Sequence, residues 1–152
     1  MKNNNEIKKL NNKGFSLVEL IIVIAIMAVL IGVLAPQYLK YVEKSRQSAD
    51  LDNYQAIITA VQVYYSDPSN ALPAKGDYEV TVSATGAVTA NSVITDACAD
   101  SGVDITKITM KSSSYKDKTL TFTITEKGKS GFWCSDSVLA NALSIGNTAI
   151  TD

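Results

Sequence analysis

The segment Lys13–Glu19 (KGFSLVE) opens a long apolar run and decides how this chain is organised. No side chain in Leu20–Ala35 is charged or able to form a hydrogen bond, and the apolar run extends back to Phe15. As an α-helix, this run spans about 31 Å, close to the thickness of the hydrocarbon core of a bilayer. We therefore predict a transmembrane helix over residues 15–36.

One carboxylate, Glu19, lies near the start of this apolar helix. A charged side chain at the centre of a membrane helix costs roughly 2.5–3.5 kcal/mol on insertion scales. Such a cost is tolerated when the charge has a partner, so Glu19 predicts a compensating group nearby.

The pattern resembles the type III signal of type IV prepilins. A short basic leader ends in Gly14, Phe15 follows, Glu19 is the fifth residue from Phe15, and Pro36 is the twenty-second. The resemblance closely covers residues 8–41; beyond them only the layout of a pilin head is similar. It implies cleavage between Gly14 and Phe15 by a prepilin peptidase, which also methylates the new Phe15 amine. The resemblance is strongest to major pilins. The Asn- and Lys-rich start of the chain favours a Gram-positive, clostridial source.

Two other interpretations of the N-terminus stay open. The sequence Val33-Leu34-Ala35 is typical of a secretory signal peptidase site. A proline directly after the cut and a carboxylate within the apolar region both oppose that interpretation. The second alternative is an uncleaved single-pass membrane anchor.

Cleavage after Gly14 would create a cationic α-amine on Phe15, one helical turn from Glu19. Within one chain the two groups meet only in part, whereas Glu19 of one subunit can reach the Phe15 amine of the next. The resemblance implies this pairing during subunit assembly. Gly32 and Pro36 weaken the helix near its outer end and predict a kink or a locally melted stretch.

The charge distribution predicts the orientation and the location of the chain. The leader, residues 1–14, has a net charge of +3, and the remaining residues have a net charge of −4. Positive leaders favour an N-terminus inside the cell. We therefore predict a single-pass precursor in the cytoplasmic membrane with its N-terminus inside, and the resemblance to prepilins implies a pilus at the cell surface after assembly. The net-negative head argues against nonspecific nucleic-acid binding through phosphate contacts, and we expect no specific nucleic acid as a partner.

After Pro36 the pattern becomes amphipathic, with Leu51, Tyr54, Ile58, Val61 and Tyr65 at helical spacing. The predicted helix ends at Ser66, because the following Asp67-Pro68 disfavours helix. Four segments result: a cleaved leader (1–14), a transmembrane or filament-core helix (15–36), an amphipathic half of the same helix (37–66) and a globular head (67–152).

Period-two segments in the head predict an antiparallel sheet, and the fold class is therefore α+β. The predicted strands are Tyr78–Val82, Ile105–Lys111, Leu120–Thr125 and Gly131–Cys134, with the second and third paired as a hairpin. Residues 87–94 are ambiguous between strand and helix. Ser135 or Asp136 is predicted to cap a short final helix.

The head contains both cysteines, Cys98 and Cys134. An oxidising exterior favours a disulfide between them, and the resemblance to the C-terminal disulfide loop of many pilins implies the same. Two buried thiols are the alternative.

The sequence contains no recognisable catalytic or cofactor motif. It has no histidine, which removes the usual general base and a common metal ligand. We therefore predict no enzyme activity, no cofactor and no metal. Asp96, Asp100 and Asp104 are spaced by four and raise calcium as an alternative, although they do not form an EF-hand loop.

The resemblance to type IV prepilins implies a structural subunit, the major pilin of a type IV pilus. Its partners would be other copies of itself, the prepilin peptidase, the pilus assembly machinery and, before assembly, the membrane. By resemblance, the filament (fimbrium) would support adhesion, twitching motility or biofilm formation. The alternatives are a pseudopilin of type II secretion, a competence pilin that binds DNA, and a membrane-anchored binding or enzymatic domain that does not assemble.

Overall fold

The computed structural model describes residues 16–151. The chain divides into two compact units, one that ends at Lys40 and one that begins at Tyr41. A 50-residue helix, α1 (Leu17–Ser66), begins within the described part of the first unit and ends in the second unit, which we call the head.

The end of α1 follows from its sequence. Asp67 and Pro68 come directly after Ser66 and disfavour further helix. The carboxylate of Asp67 accepts a hydrogen bond from the Ser69 amide at 2.8 Å, which stabilises the turn. The predicted stop at Ser66 is confirmed.

The head contains a four-stranded antiparallel sheet with the spatial order β2-β1-β3-β4. The strands are β1 (Gly76–Val82), β2 (Val88–Ala90), β3 (Thr119–Ile124) and β4 (Ser130–Trp133). Together with α1 this sheet confirms the α+β fold class. The predicted strands at Tyr78, Leu120 and Gly131 are present, with bounds that differ by one or two positions.

The core of the head lies between one face of the sheet and the amphipathic stripe of α1. Alternation along β1 directs Val80 and Val82 inward, where both are buried. The rings of Tyr65 and Phe122 stack with centroids 6.0 Å apart. From α1, the core receives the buried residues Tyr54, Ile57, Ile58, Ala60 and Val61.

The predicted strand Ile105–Lys111 and its hairpin with the segment after it are wrong. β3 pairs with β1 and β4 instead, and Ile105–Lys107 forms a single 3₁₀ turn. Asp104 caps this turn, because its carboxylate accepts a hydrogen bond from the Thr106 amide at 3.1 Å. Ile105 and Met110, two of the apolar residues whose alternation suggested a strand, are buried in the core.

Gly86 allows the segment after this turn to approach the β1–β2 connection closely. The Met110 amide donates to the Gly86 carbonyl at 2.8 Å. Gly86 has φ +89°, and a Cβ at this position would lie 2.0 Å from the Met110 carbonyl oxygen. Only glycine fits this conformation and this spacing.

The ambiguous residues 87–94 divide between β2 and a second helix, α2 (Ser92–Asp100). Asn91 caps α2, because its side-chain oxygen accepts a hydrogen bond from the Val93 amide at 3.0 Å. The final helix, α3 (Ser137–Leu143), is capped by Asp136, one of the two residues predicted for that role.

Candidate assembly interface

The apolar part of α1 has no core of its own. Its large side chains are exposed, from 47% for Val23 to 72% for Leu17. An 18-residue window of the helix has a mean hydropathy of 3.1, and none of that window is buried. The helix is thus long and apolar enough to cross a membrane. Since each large apolar side chain gains about 1.5–3 kcal/mol on burial, this surface needs lipid or other chains around it.

Glu19 closes a capping box at the start of α1. Its Oε2 accepts a hydrogen bond from the Ser16 amide at 2.8 Å, and the Ser16 hydroxyl accepts one from the Val18 amide at 3.3 Å. The spacing Ser-x-x-Glu is a known signature of a helix start. The carboxylate therefore has a partner inside its own chain, and the sequence interpretation missed this contact.

The predicted cleavage and methylation residues, Gly14 and Phe15, lie outside the described residues. The contact between Glu19 and a Phe15 amine therefore stays a prediction. Both helix-weakening residues are described. Pro36 lies inside α1, and a Cβ on Gly32 would have no neighbour within 4 Å. No packing contact among residues 16–151 requires that glycine, and the predicted kink or melting stays a prediction.

In the head, Asp50 attaches a serine-rich loop to α1. Asp50 is 1% exposed. Its carboxylate accepts hydrogen bonds from the Lys111 amide at 2.9 and 3.0 Å and from the Ser112 amide at 2.6 Å. Charge-assisted hydrogen bonds of this kind are stronger than those between neutral groups.

Two further residues of α1 bind the same loop. The Glu43 Oε1 atom accepts hydrogen bonds from the Ser112 hydroxyl at 2.7 Å and the Ser113 amide at 3.0 Å. The Gln47 amide donates to the Ser114 hydroxyl at 2.9 Å. The hydrogen bond from the Ser112 hydroxyl, with smaller contributions from Ser113 and Arg46, holds the pKa of Glu43 below its ordinary value.

We call this set of contacts the loop clamp: Glu43, Gln47 and Asp50 on α1, and Lys111–Ser114 on the loop. The α1 residues are spaced by four and three and so share one face of the helix. Sequence reasoning missed the clamp, because its two sides are far apart in the chain.

The two cysteines are free thiols in this structure, and both are buried. Cys98 lies on α2, and Cys134 directly follows β4. Burial raises the pKa of the Cys98 thiol to about 11, and burial is also the main cause of the raised pKa of Cys134. The disulfide between Cys98 and Cys134 stays a prediction, with two buried thiols as the alternative.

The three aspartates that raised calcium have separate surroundings. Asp104 caps the 3₁₀ turn and pairs with the Lys107 ammonium at 2.9 Å. Hydrogen bonds from Thr106 and Lys107 lower the pKa of Asp104 to about 2. Asp96 and Asp100 are exposed on α2. Between residues 16 and 151, no group of three or more His, Cys, Asp or Glu side chains is placed to hold a metal ion.

Comparisons with known proteins agree on one class. The prokaryotic N-terminal methylation motif matches residues 9–35, which include Gly14, Phe15 and Glu19. The type IV major pilin protein PilA of Myxococcus xanthus (strain DK1622) is 38% identical over 56 residues, 37% of this chain and 26% of that protein. The chain thus matches about a quarter of that relative's length. No solved structure matches the chain.

A second relative covers most of the chain. The fimbrial protein EcpC of Eikenella corrodens is 35% identical over 136 residues, 86% of this chain and 87% of that protein. The chain therefore belongs to the type IV pilin family, and it is a pilin subunit of a pilus filament. This family is one of structural proteins, and the apolar N-terminal helix of this chain fits a membrane-anchored precursor and a surface pilus.

Proposed function

We propose that this chain is the major subunit of a type IV pilus. The main support for this proposal is the exposed apolar surface of α1. The head buries its own apolar side chains, whereas the apolar part of α1 has no packing partner among residues 16–151. In the precursor, lipid would cover the surface. In the filament, the apolar helices of neighbouring subunits would cover it.

Processing by a prepilin peptidase is part of the proposal. The methylation motif that matches residues 9–35 supports cleavage between Gly14 and Phe15 and methylation of the Phe15 amine. The net charge of +3 on the leader supports an N-terminus inside the cell and a head outside. The Asn- and Lys-rich leader supports a Gram-positive, clostridial source. The two relatives reported above come from Myxococcus xanthus and Eikenella corrodens.

Glu19 has a specific role in the proposed assembly. Its Oε2 holds the Ser16 amide, which leaves Oε1 as an acceptor for the Phe15 amine of the neighbouring subunit. A buried charge that loses its partner costs about 3–5 kcal/mol. The variant Glu19→Gln should therefore insert and be processed like the wild type but enter filaments poorly.

The test is the amount of this pilin in filaments sheared from cells. The proposal predicts abundant wild-type pilin in the sheared fraction, and a loss of at least tenfold for Glu19→Gln at equal membrane levels. A matched control is Glu79→Gln, which changes an exposed carboxylate of the head. Equal filament yields for wild type and Glu19→Gln would contradict the role of Glu19.

The proposed consequences for the cell are adhesion, twitching motility or biofilm formation, through the filament as a whole. A pseudopilin of type II secretion or a competence pilin shares the N-terminal region and remains the second candidate. Deletion of the gene distinguishes them: loss of surface filaments supports the pilus, whereas loss of protein secretion or DNA uptake with filaments intact supports the alternative.

A further inference from the structure

The surface of the head carries a groove whose chemistry suits a lysine side chain. It has a volume of about 470 Å³ and lies between α1 and the end of α2. Apolar side chains from both sides line it, namely Ala56, Ala60, Val63 and Val103, and Asp100 is part of the same lining. We call it the acidic groove. A lysine fits such a groove because its aliphatic stem packs on apolar surface while its ammonium group reaches a carboxylate.

Asp100, the one carboxylate that lines the acidic groove, has no ion-pair partner within residues 16–151. Asp100 and Asp96, one helical turn earlier, are both exposed on α2, which contains no lysine or arginine. Within the described part of the chain, neither aspartate belongs to an ion pair. Like charges at this spacing destabilise a helix slightly, and a cation from outside would offset that effect.

Lys44 lies on the same helix that forms one wall of the groove, and it has no ion pair in the part of the chain that the structure describes. Lys44 is exposed on α1 and has no carboxylate within ion-pair distance among residues 16–151. The second α1 cation within the head, Arg46, lies 3.8 Å from Glu43. Of these two cations, Lys44 is therefore the one that is free to pair with another molecule.

We propose that Lys44 of one subunit occupies the acidic groove of a neighbouring subunit and pairs there with Asp100. The partner is thus a second copy of this chain, and the inference rests on the proposed filament. Lys44 and Ala60, which lines the groove, lie about 24 Å apart along the axis of α1. One subunit cannot bridge that distance within itself. Two copies with parallel helices, offset along the axis by the same distance, bring the two groups together, and a helical filament supplies such offsets.

Charge reversal tests the pair in the full-length chain. Lys44→Glu places a second carboxylate against Asp100, and Asp100→Lys places two ammonium groups together. Like charges that face each other at an interface suppress association strongly. We expect each single variant to lower the yield of sheared filaments at least tenfold, and the combination of both to restore it to within about threefold of wild type.

Control variants separate this pair from a general effect of charge. Lys129→Glu and Glu79→Lys reverse an exposed cation and an exposed anion elsewhere on the head, and both should leave the yield within twofold. Membrane levels and head unfolding, followed by the single tryptophan Trp133, should stay close to those of the wild type, because the helix pairs that these changes affect contribute little to stability.

The outcomes also separate this inference from the proposed function. If wild-type cells form filaments and Lys44→Glu assembles normally, the pairing is wrong and the pilus assignment stands. If both single variants fail but the combination fails equally, the pairing is again wrong. If wild-type cells form no filaments of this chain, the proposed function itself fails. As an independent check, Lys44→Cys combined with Asp100→Cys should give intermolecular cross-links with a bis-maleimide in filaments, and the absence of such cross-links would overturn the pairing.

Discussion

Removal of the Asp50 carboxylate should destabilise the head strongly, because the loop clamp depends on it. The carboxylate is buried and accepts hydrogen bonds from the amides of Lys111 and Ser112. Hydrogen bonds to charged groups contribute about 1.5–3 kcal/mol each. Ser112 is fully buried, so its amide would have no access to water after the carboxylate is removed. Lys111 is exposed, and water can replace part of its bond.

We therefore expect Asp50→Ala to lower the free energy of unfolding by about 3–4 kcal/mol. Asp50→Asn keeps one carbonyl oxygen as an acceptor and should lose about half of that amount. The matched control is Asp52→Ala, which removes an exposed carboxylate from the same helix and should change stability by less than about 0.5 kcal/mol.

Urea unfolding of the full chain in detergent provides the measurement. The chain has one tryptophan, Trp133 at the end of β4, so its fluorescence reports on the head and not on the apolar helix. The midpoint of unfolding gives the change in stability if the slope is unchanged. A decrease for Asp50→Ala as small as that of the Asp52→Ala control would refute the argument that the clamp holds the loop.

Three further predictions concern backbone strain, thiol reactivity and pH. Gly86→Ala should lower the free energy of unfolding by at least about 2–3 kcal/mol in the same urea assay, because a Cβ there meets a backbone carbonyl. Gly102 also has positive φ but has open space around it, so Gly102→Ala should lower that free energy by only about 1–2 kcal/mol. Cys98 and Cys134 should react with a thiol reagent only after unfolding; a mass lower by two hydrogens in the unreduced chain would instead show the disulfide. Glu43 has a lowered pKa, so its stabilising contribution is complete above its ordinary value of 4.5 and is lost as the pH falls through the folded pKa. Glu43→Gln should therefore lower the free energy of unfolding mainly at neutral pH, and the stability of this variant should fall less steeply than that of the wild type as the pH is lowered. The same dependence of stability on pH in both proteins would contradict this.

The sequence predicted the long helix and most of the sheet correctly because those elements depend on local signals. The apolar run and the amphipathic stripe identify α1, and Pro68 ends it. The strands at Tyr78 and Leu120 alternate clearly between apolar and polar residues, and their pairing places those apolar residues on one inner face.

The errors came from capping side chains and contacts between distant parts of the chain. Asp104 caps a 3₁₀ turn in a segment whose alternating apolar and polar residues suggest a strand. Asn91 starts a helix inside a segment whose pattern is ambiguous. Both residues have local signatures that a closer inspection of helix caps would have found. Strand pairing is different, since the choice of β1 as the partner of β3 depends on how the whole head packs.

The sequence also predicted only part of the candidate interface. The exposed apolar helix and Glu19 follow from the sequence, and the Ser16–Glu19 capping box has a recognisable spacing. The loop clamp and the acidic groove have no such signal, because each joins α1 to residues much later in the chain.

The most direct test of assembly into a type IV pilus is N-terminal mass spectrometry of this chain in filaments sheared from the cell surface. We expect a dominant mature chain that begins at a methylated Phe15, which would establish both the cut after Gly14 and assembly into a pilus. A chain found only in membranes, either uncut or beginning at Pro36, would contradict it.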